Sequence, residues 1–136
     1  MTTVGVLGSK SLEQAVQEIL KSRAASRIYL YLLRKNGAKA DQIIRGSHLH
    51  PSTVREILAQ MYDQKLIYRK KLKTDSIGKN PYVYYSISPL LLVKRYSKEI
   101  EDRLNKIARL ANFKQKDANY KPVKIKISEE AKTNER

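Results

Sequence analysis

The side chains of Ser52, Thr53, Arg55, Glu56 and Gln60 carry the most suggestive chemistry in this chain. A guanidinium can bond guanine through two parallel hydrogen bonds, a carboxamide can do the same to adenine, and hydroxyls reach phosphates or base edges. These residues interleave with Val54, Ile57, Leu58 and Met61, which recur at three and four residues, the period of a helix that buries one face. The polar set would then point outward together. An ordinary solvated helix face shows the same pattern, so the neighbouring segments must decide what this one does. His50 stands just ahead of the run and joins the outward set. Pro51 suits the first turn of a helix, because its missing N–H would have had no partner there. Either His50 or Ser52 could cap it.

Other chemistries find no footing. The chain has no cysteine, which removes disulfides, thiolate metal sites and a cysteine nucleophile together. His48 and His50 are neighbours, but no acidic pair or third histidine accompanies them at ligand spacing, so no metal is expected. The glycines are scattered, with neither a phosphate-cradling loop nor a nucleophile elbow, and there is no carboxylate cluster. The sequence reads as a binder that needs no cofactor and catalyses nothing.

Composition says what it would bind. Among 136 residues, 28 Lys and Arg stand against 13 Asp and Glu, a formal net charge of +15. Charge of that size repels itself within a folded chain and is better explained by an anionic partner. Nucleic acid is the first candidate and an anionic membrane surface the second. No apolar run approaches the roughly 18 residues that would span a bilayer. The opening MTTVGVLGSK lacks the basic end and apolar core of a signal peptide, so a cytoplasmic, nucleoid-associated location is expected.

The elements that must position the polar set follow in order. Residues 1–10 form a small, polar arm. Ser11, with Gln14 three residues on, has the pattern of a helix start, and Leu12, Ala15, Val16, Ile19 and Leu20 continue at helical spacing. A second stripe, Ile28, Tyr29, Leu32 and Leu33, ends at Asn36-Gly37 behind two cations, a good helix stop. Whether 11–35 is one kinked helix or two stays open. Lys39 to Ser47 reads as a short helix, and Leu49 falls in the connection that follows, where one apolar side chain can plug the wedge between two crossing helices.

Beyond Leu66 the pattern changes. Leu66–Leu72 and Tyr82–Ser88 are rich in strand formers, joined by the turn-rich KTDSIGKNP. Arg69, Lys70, Lys71, Lys73 and Lys79 cluster on this hairpin, where they could grip phosphates or merely protect a sheet edge. Tyr82, Tyr84 and Tyr85 could stack unpaired bases, but packing residues with wet hydroxyls is the simpler reading. From Pro89 a segment to about Phe113 carries one apolar stripe, Leu92, Val93, Tyr96, Ile100, Leu104, Ile107 and Leu110. A helix over 89–113 would be about 37 Å long, more than a small domain can cover. The seven-residue spacing of Val93, Ile100 and Ile107 suits a short coiled coil, with packing on the first helix as the alternative. Residues 114–136 are charged and expected to be largely disordered, with one strand-like run at Val123–Ile127.

Helix, short turn, helix and basic hairpin in this order resemble the winged helix-turn-helix of transcription regulators, particularly small archaeal and MarR-type ones, over roughly Arg23 to Ser88. Two positions depart from the usual pattern: Ile44 where a small residue is common, and His48 where the turn often has Gly. His tolerates a left-handed backbone better than most. The resemblance implies a mainly α fold with a small β-hairpin and flanking helices: arm 1–10, winged domain with its N-terminal helix 11–88, dimerisation helix 89–113, tail 114–136. It further implies a homodimer that binds double-stranded DNA sequence-specifically, with helix 51–64 in the major groove and wing 67–87 on the flanking backbone or minor groove. Lys39 would add a backbone contact. Two alternatives stand beside it: an interaction module of a larger transcription, replication or RNA assembly, and a nonspecific chromatin-type or single-strand binder. Any small-molecule effector is unknown.

Overall fold

A computed structural model describes residues 9–73, 81–115 and 122–128, with side chains described through residue 111 of the last helix. Helix α1 spans Lys10–Leu20. Its cap is Ser9, whose hydroxyl accepts the Leu12 N–H at 3.1 Å, and not Ser11, which lies inside the first turn. Both serines precede the same apolar run. Ser9 takes the role because its backbone is extended, φ −76° and ψ 145°, which aims the hydroxyl back over the turn.

The open question over 11–35 resolves as two helices. Lys21 turns left-handed at φ 59°, and Ser22 caps α2, Arg23–Lys35, by accepting the Ala25 N–H at 3.0 Å. Helix α2 is the centre of the core. Ala25, Ser26 and the run Ile28, Tyr29, Leu30, Tyr31, Leu32 are all buried. The expected stop is where the sequence places it: Asn36 and Gly37 both have positive φ, 56° and 107°. A side chain at Gly37 would overlap the Tyr85 ring, so glycine serves both the turn and the close approach.

Strand β1, Ala38–Lys39, leads directly into helix α3, Ala40–Ser47. The sequence pattern gave no hint of β1, because two residues cannot show an alternation. Helix α4 spans Pro51–Asp63, with Gln64 as its cap. Strands β2, Ile67–Lys71, and β3, Tyr82–Ser86, form the hairpin. The sheet therefore has three antiparallel strands in the order β1-β3-β2, one more than the expected hairpin. Two hydrogen bonds tie β3 to α2: the Tyr29 hydroxyl donates to the Ile87 carbonyl at 2.8 Å, and the Ser86 hydroxyl to the Tyr29 carbonyl at 2.9 Å.

The chain divides into two units after Ile87. The second holds helix α5, Pro89–Gln115, whose first turn is capped by the Ser88 hydroxyl accepting the Leu91 N–H at 3.1 Å. Exposed i,i+4 ion pairs, Lys98 with Asp102 at 3.5 Å and Glu99 with Arg103 at 3.8 Å, line the helix, each worth about 0.3–0.5 kcal/mol. Part of the segment expected to be disordered has a defined place. The Val123 N–H donates to Asn105 Oδ1 at 2.6 Å, Asn105 Nδ2 donates to the Val123 carbonyl at 3.2 Å, and the Ile125 N–H donates to Glu101 Oε2 at 2.9 Å. The run 122–128 has no regular secondary structure and pairs with no strand among the described residues; helix side chains take up main-chain groups of Val123 and Ile125 instead.

Candidate nucleic-acid interface

Three contacts set the angle at which α4 leaves the domain. His48 adopts a left-handed backbone at φ 60°, as its place in the turn requires. Ser47 is buried; its hydroxyl accepts the Leu49 N–H at 3.3 Å, and its carbonyl accepts from the Arg27 guanidinium at 3.3 Å. Gly46 faces the ring of Tyr31, whose hydroxyl donates to the Gln42 carbonyl at 3.1 Å. Any Cβ at Gly46 would overlap that ring. The close approach that demands a small residue thus falls at Gly46, two positions after Ile44, which is half-buried and fits as it is.

His50 is the cap of α4. Its Nδ1 accepts the Ser52 N–H at 3.2 Å and lies 2.9 Å from the Ser52 hydroxyl, which settles the choice between the two residues. Val54, Leu58 and Met61 are buried, and Ile57 is half-buried. Ser52, Arg55, Glu56 and Gln60 are exposed and Thr53 is half-exposed, all on α4. The exposed part of this set shows no ion pair among the described residues.

The hairpin's cations divide by strand alternation. Arg69 and Lys71 share one face of β2 with the buried Ile67; Lys70 lies on the other, its Nζ 5.5 Å from the centre of the Tyr85 ring. Tyr85 itself stacks on Tyr68 at 5.2 Å. Lys73 follows β2 and is exposed, and Lys39 is exposed in β1. Lys79 lies outside the described residues. The tyrosines of β3 are half-buried packing residues, the simpler of the two readings.

Arg69 is unlike its neighbours. Its guanidinium carbon sits 4.0 Å from the Tyr62 ring centre and 4.2 Å from that of Tyr82. It is held between an aromatic from α4 and one from β3. Sequence reasoning grouped Arg69 with the lysines and missed Tyr62 altogether. The available signal was faint: Tyr62 stands two helical turns after Arg55, and Tyr82 is a diagonal cross-strand neighbour of Arg69.

On α5, Leu92 is buried while Tyr96 and Ile100 are half-buried. Val93, Leu104, Ile107 and Leu110 are 43%, 41%, 64% and 67% exposed, so much of the apolar stripe is uncovered among the described residues. Among the described residues no group of three or more His, Asp or Glu could hold a metal, and no helix is long and apolar enough to cross a membrane.

A helical core, a turn held by a left-handed residue, an exposed second helix and a three-stranded sheet ending in a hairpin define a winged helix-turn-helix fold. A family model described as the TFIIE alpha subunit matches residues 12–116, and the chain belongs to that family. One solved structure agrees on the fold. A possible transcriptional regulator from Methanosarcina mazei Go1 superposes with a TM-score of 0.65 at 15% identity, covering 76% of this chain and 88% of that one. The MepR–DNA complex of S. aureus aligns over 85% of this chain and 96% of its own, at 16% identity and a TM-score of 0.46. No curated protein sequence matches the chain.

Proposed function

We propose that the protein acts in transcription as a homodimer that binds duplex DNA sequence-specifically and catalyses no reaction. The observation that carries this is the exposed polar face of α4, held beside a basic hairpin in a chain of net charge +15. Helix α4 enters the major groove, where Arg55 and Gln60 read base edges, Ser52, Thr53 and Glu56 adjust the fit, and the exposed ring of His50 lies at the helix start. Lys70, Lys71 and Lys73 of the hairpin, with Lys79 beyond the described residues, take the flanking backbone or minor groove, and Lys39 adds a phosphate contact. The stripe on α5 pairs with that of a second copy and sets the distance between half-sites. Such work belongs at the nucleoid.

The test is selection of bound fragments from random or genomic DNA. A recovered motif with a fixed half-site spacing is expected; recovery of unenriched sequence would overturn specificity.

The family description supports a second reading, since an alpha subunit works within an assembly. In that case the winged domain is an interaction module, and the isolated protein leaves no footprint on DNA. A footprint that persists without partners decides for the first reading.

A further inference from the structure

An arginine packed between two aromatic rings is held by them while its N–H edge is left open. Arg69 is in that position, at 4.0 Å from Tyr62 and 4.2 Å from Tyr82. Among the described residues no carboxylate pairs with it. A cation flanked by two rings, and with no carboxylate partner among the described residues, is placed for an acceptor from outside.

Its location says which acceptor. Arg55 and Tyr62 are seven residues apart on α4, so they lie on one flank of the helix, about 10.5 Å apart along the axis. The stack therefore joins the hairpin to the flank that carries Arg55. Lys71 shares its face of β2, Lys73 follows the strand, and both are exposed. An anion arriving here meets a planar fork with parallel donors, which matches two oxygens of one phosphate.

We infer that Tyr62, Arg69 and Tyr82 form a phosphodiester clamp that fixes α4 against one backbone phosphate and so sets the register in which Arg55 meets its base. The clamp rests on the duplex-binding reading above. It differs from these lysines in kind: they supply charge, whereas the stacked fork supplies a position. Lysine, a flexible point charge, cannot replace it.

The experiment compares wild type, R69K and R69M in the full chain, with affinity for a synthetic duplex measured across a salt series. Methionine keeps an unbranched apolar side chain at this position and removes the donors. R69M should lower the slope of log K against log salt by about 0.9, the loss of one phosphate contact. R69K should keep the slope yet bind about tenfold more weakly. Replacing single phosphates of the duplex by neutral methylphosphonates should reveal one position whose loss weakens wild type and leaves R69M unaffected. R69K equal to wild type, or R69M with an unchanged slope, overturns the clamp.

A separate arm works even if the chain binds no duplex, an outcome that would refute the proposed function on its own. Inorganic pyrophosphate is titrated while the Arg69 Nε–Hε resonance is followed by NMR. Saturable movement of that resonance in wild type, abolished in Y62A/Y82A, supports the oriented fork; no movement overturns it. Movement with pyrophosphate but an unchanged duplex slope in R69M would assign the fork to an acidic protein partner and overturn the phosphodiester assignment.

Discussion

Arg55 and Tyr29 show how differently single residues act in this chain. Arg55 is exposed on α4 without an ion pair among the described residues, so its contribution appears only when a partner is present. Arg55→Ala is expected to leave thermal stability unchanged and to cost about 1–3 kcal/mol in binding the preferred sequence, with relaxed preference at one position. Equal selectivity in mutant and wild type, measured on a panel of single-base variants, would remove Arg55 from base reading. Tyr29 is the reverse case, 1% exposed and committed to the fold through its bond to Ile87. Burial raises its hydroxyl pKa from 10.0 to about 12. Its neutral form is thus kept in the folded state after the unfolded chain has ionised. Stability from this group is full below pH 10 and falls as pH rises towards 12, by up to about 1.4 kcal/mol per pH unit. Urea unfolding at stepped alkaline pH should show that slope, and Tyr29→Phe should flatten it.

At the scale of elements, the proposed function divides the work of binding between the hairpin and α4. Replacing Lys71 and Lys73 by Ala should weaken binding to every sequence alike and reduce the salt dependence by roughly one contact per lysine. A loss that varies with sequence would mean that the hairpin reads bases. The elements also differ in how plainly the sequence announces them. Helix α4 is legible because Val54, Leu58 and Met61 keep a strict helical interval and Pro51 marks its first turn. The left-handed turn at His48 and the stop at Asn36-Gly37 are legible for local steric reasons. Strand β1 is not, since its existence depends on β3 lying alongside. The cap at Ser9 is hidden by a second serine two positions later, and Gly46 shows its purpose only when Tyr31 is packed against it. The Tyr62–Arg69–Tyr82 stack draws on three elements, and no interval along the chain encodes it.

For the whole molecule, the decisive quantity is how much apolar surface one chain leaves uncovered. Ile107 and Leu110 are about two-thirds exposed on α5, 64% and 67%, and their neighbours up the stripe are partly so. Burying such residues against a second copy stabilises by roughly 1.5–3 kcal/mol for each side chain fully covered. Charged replacements at Ile100 and Ile107 should therefore give monomers by light scattering, with the helix content of the winged domain preserved by circular dichroism. A dimer that survives both changes would move the interface elsewhere. Loss of the dimer should also weaken DNA binding far more than either half-site contact does, because two linked sites bind with a high effective concentration.

The run 122–128 has a kinetic signature. Amides outside regular secondary structure ordinarily exchange with solvent deuterium quickly, yet those of Val123 and Ile125 are held by Asn105 and Glu101. They should form a slow pair separated by a fast Lys124, an every-other-residue pattern with no strand beside it among the described residues. Asn105→Ala should release Val123 first. Uniformly fast exchange in wild type would show that the run spends most of its time away from the helix.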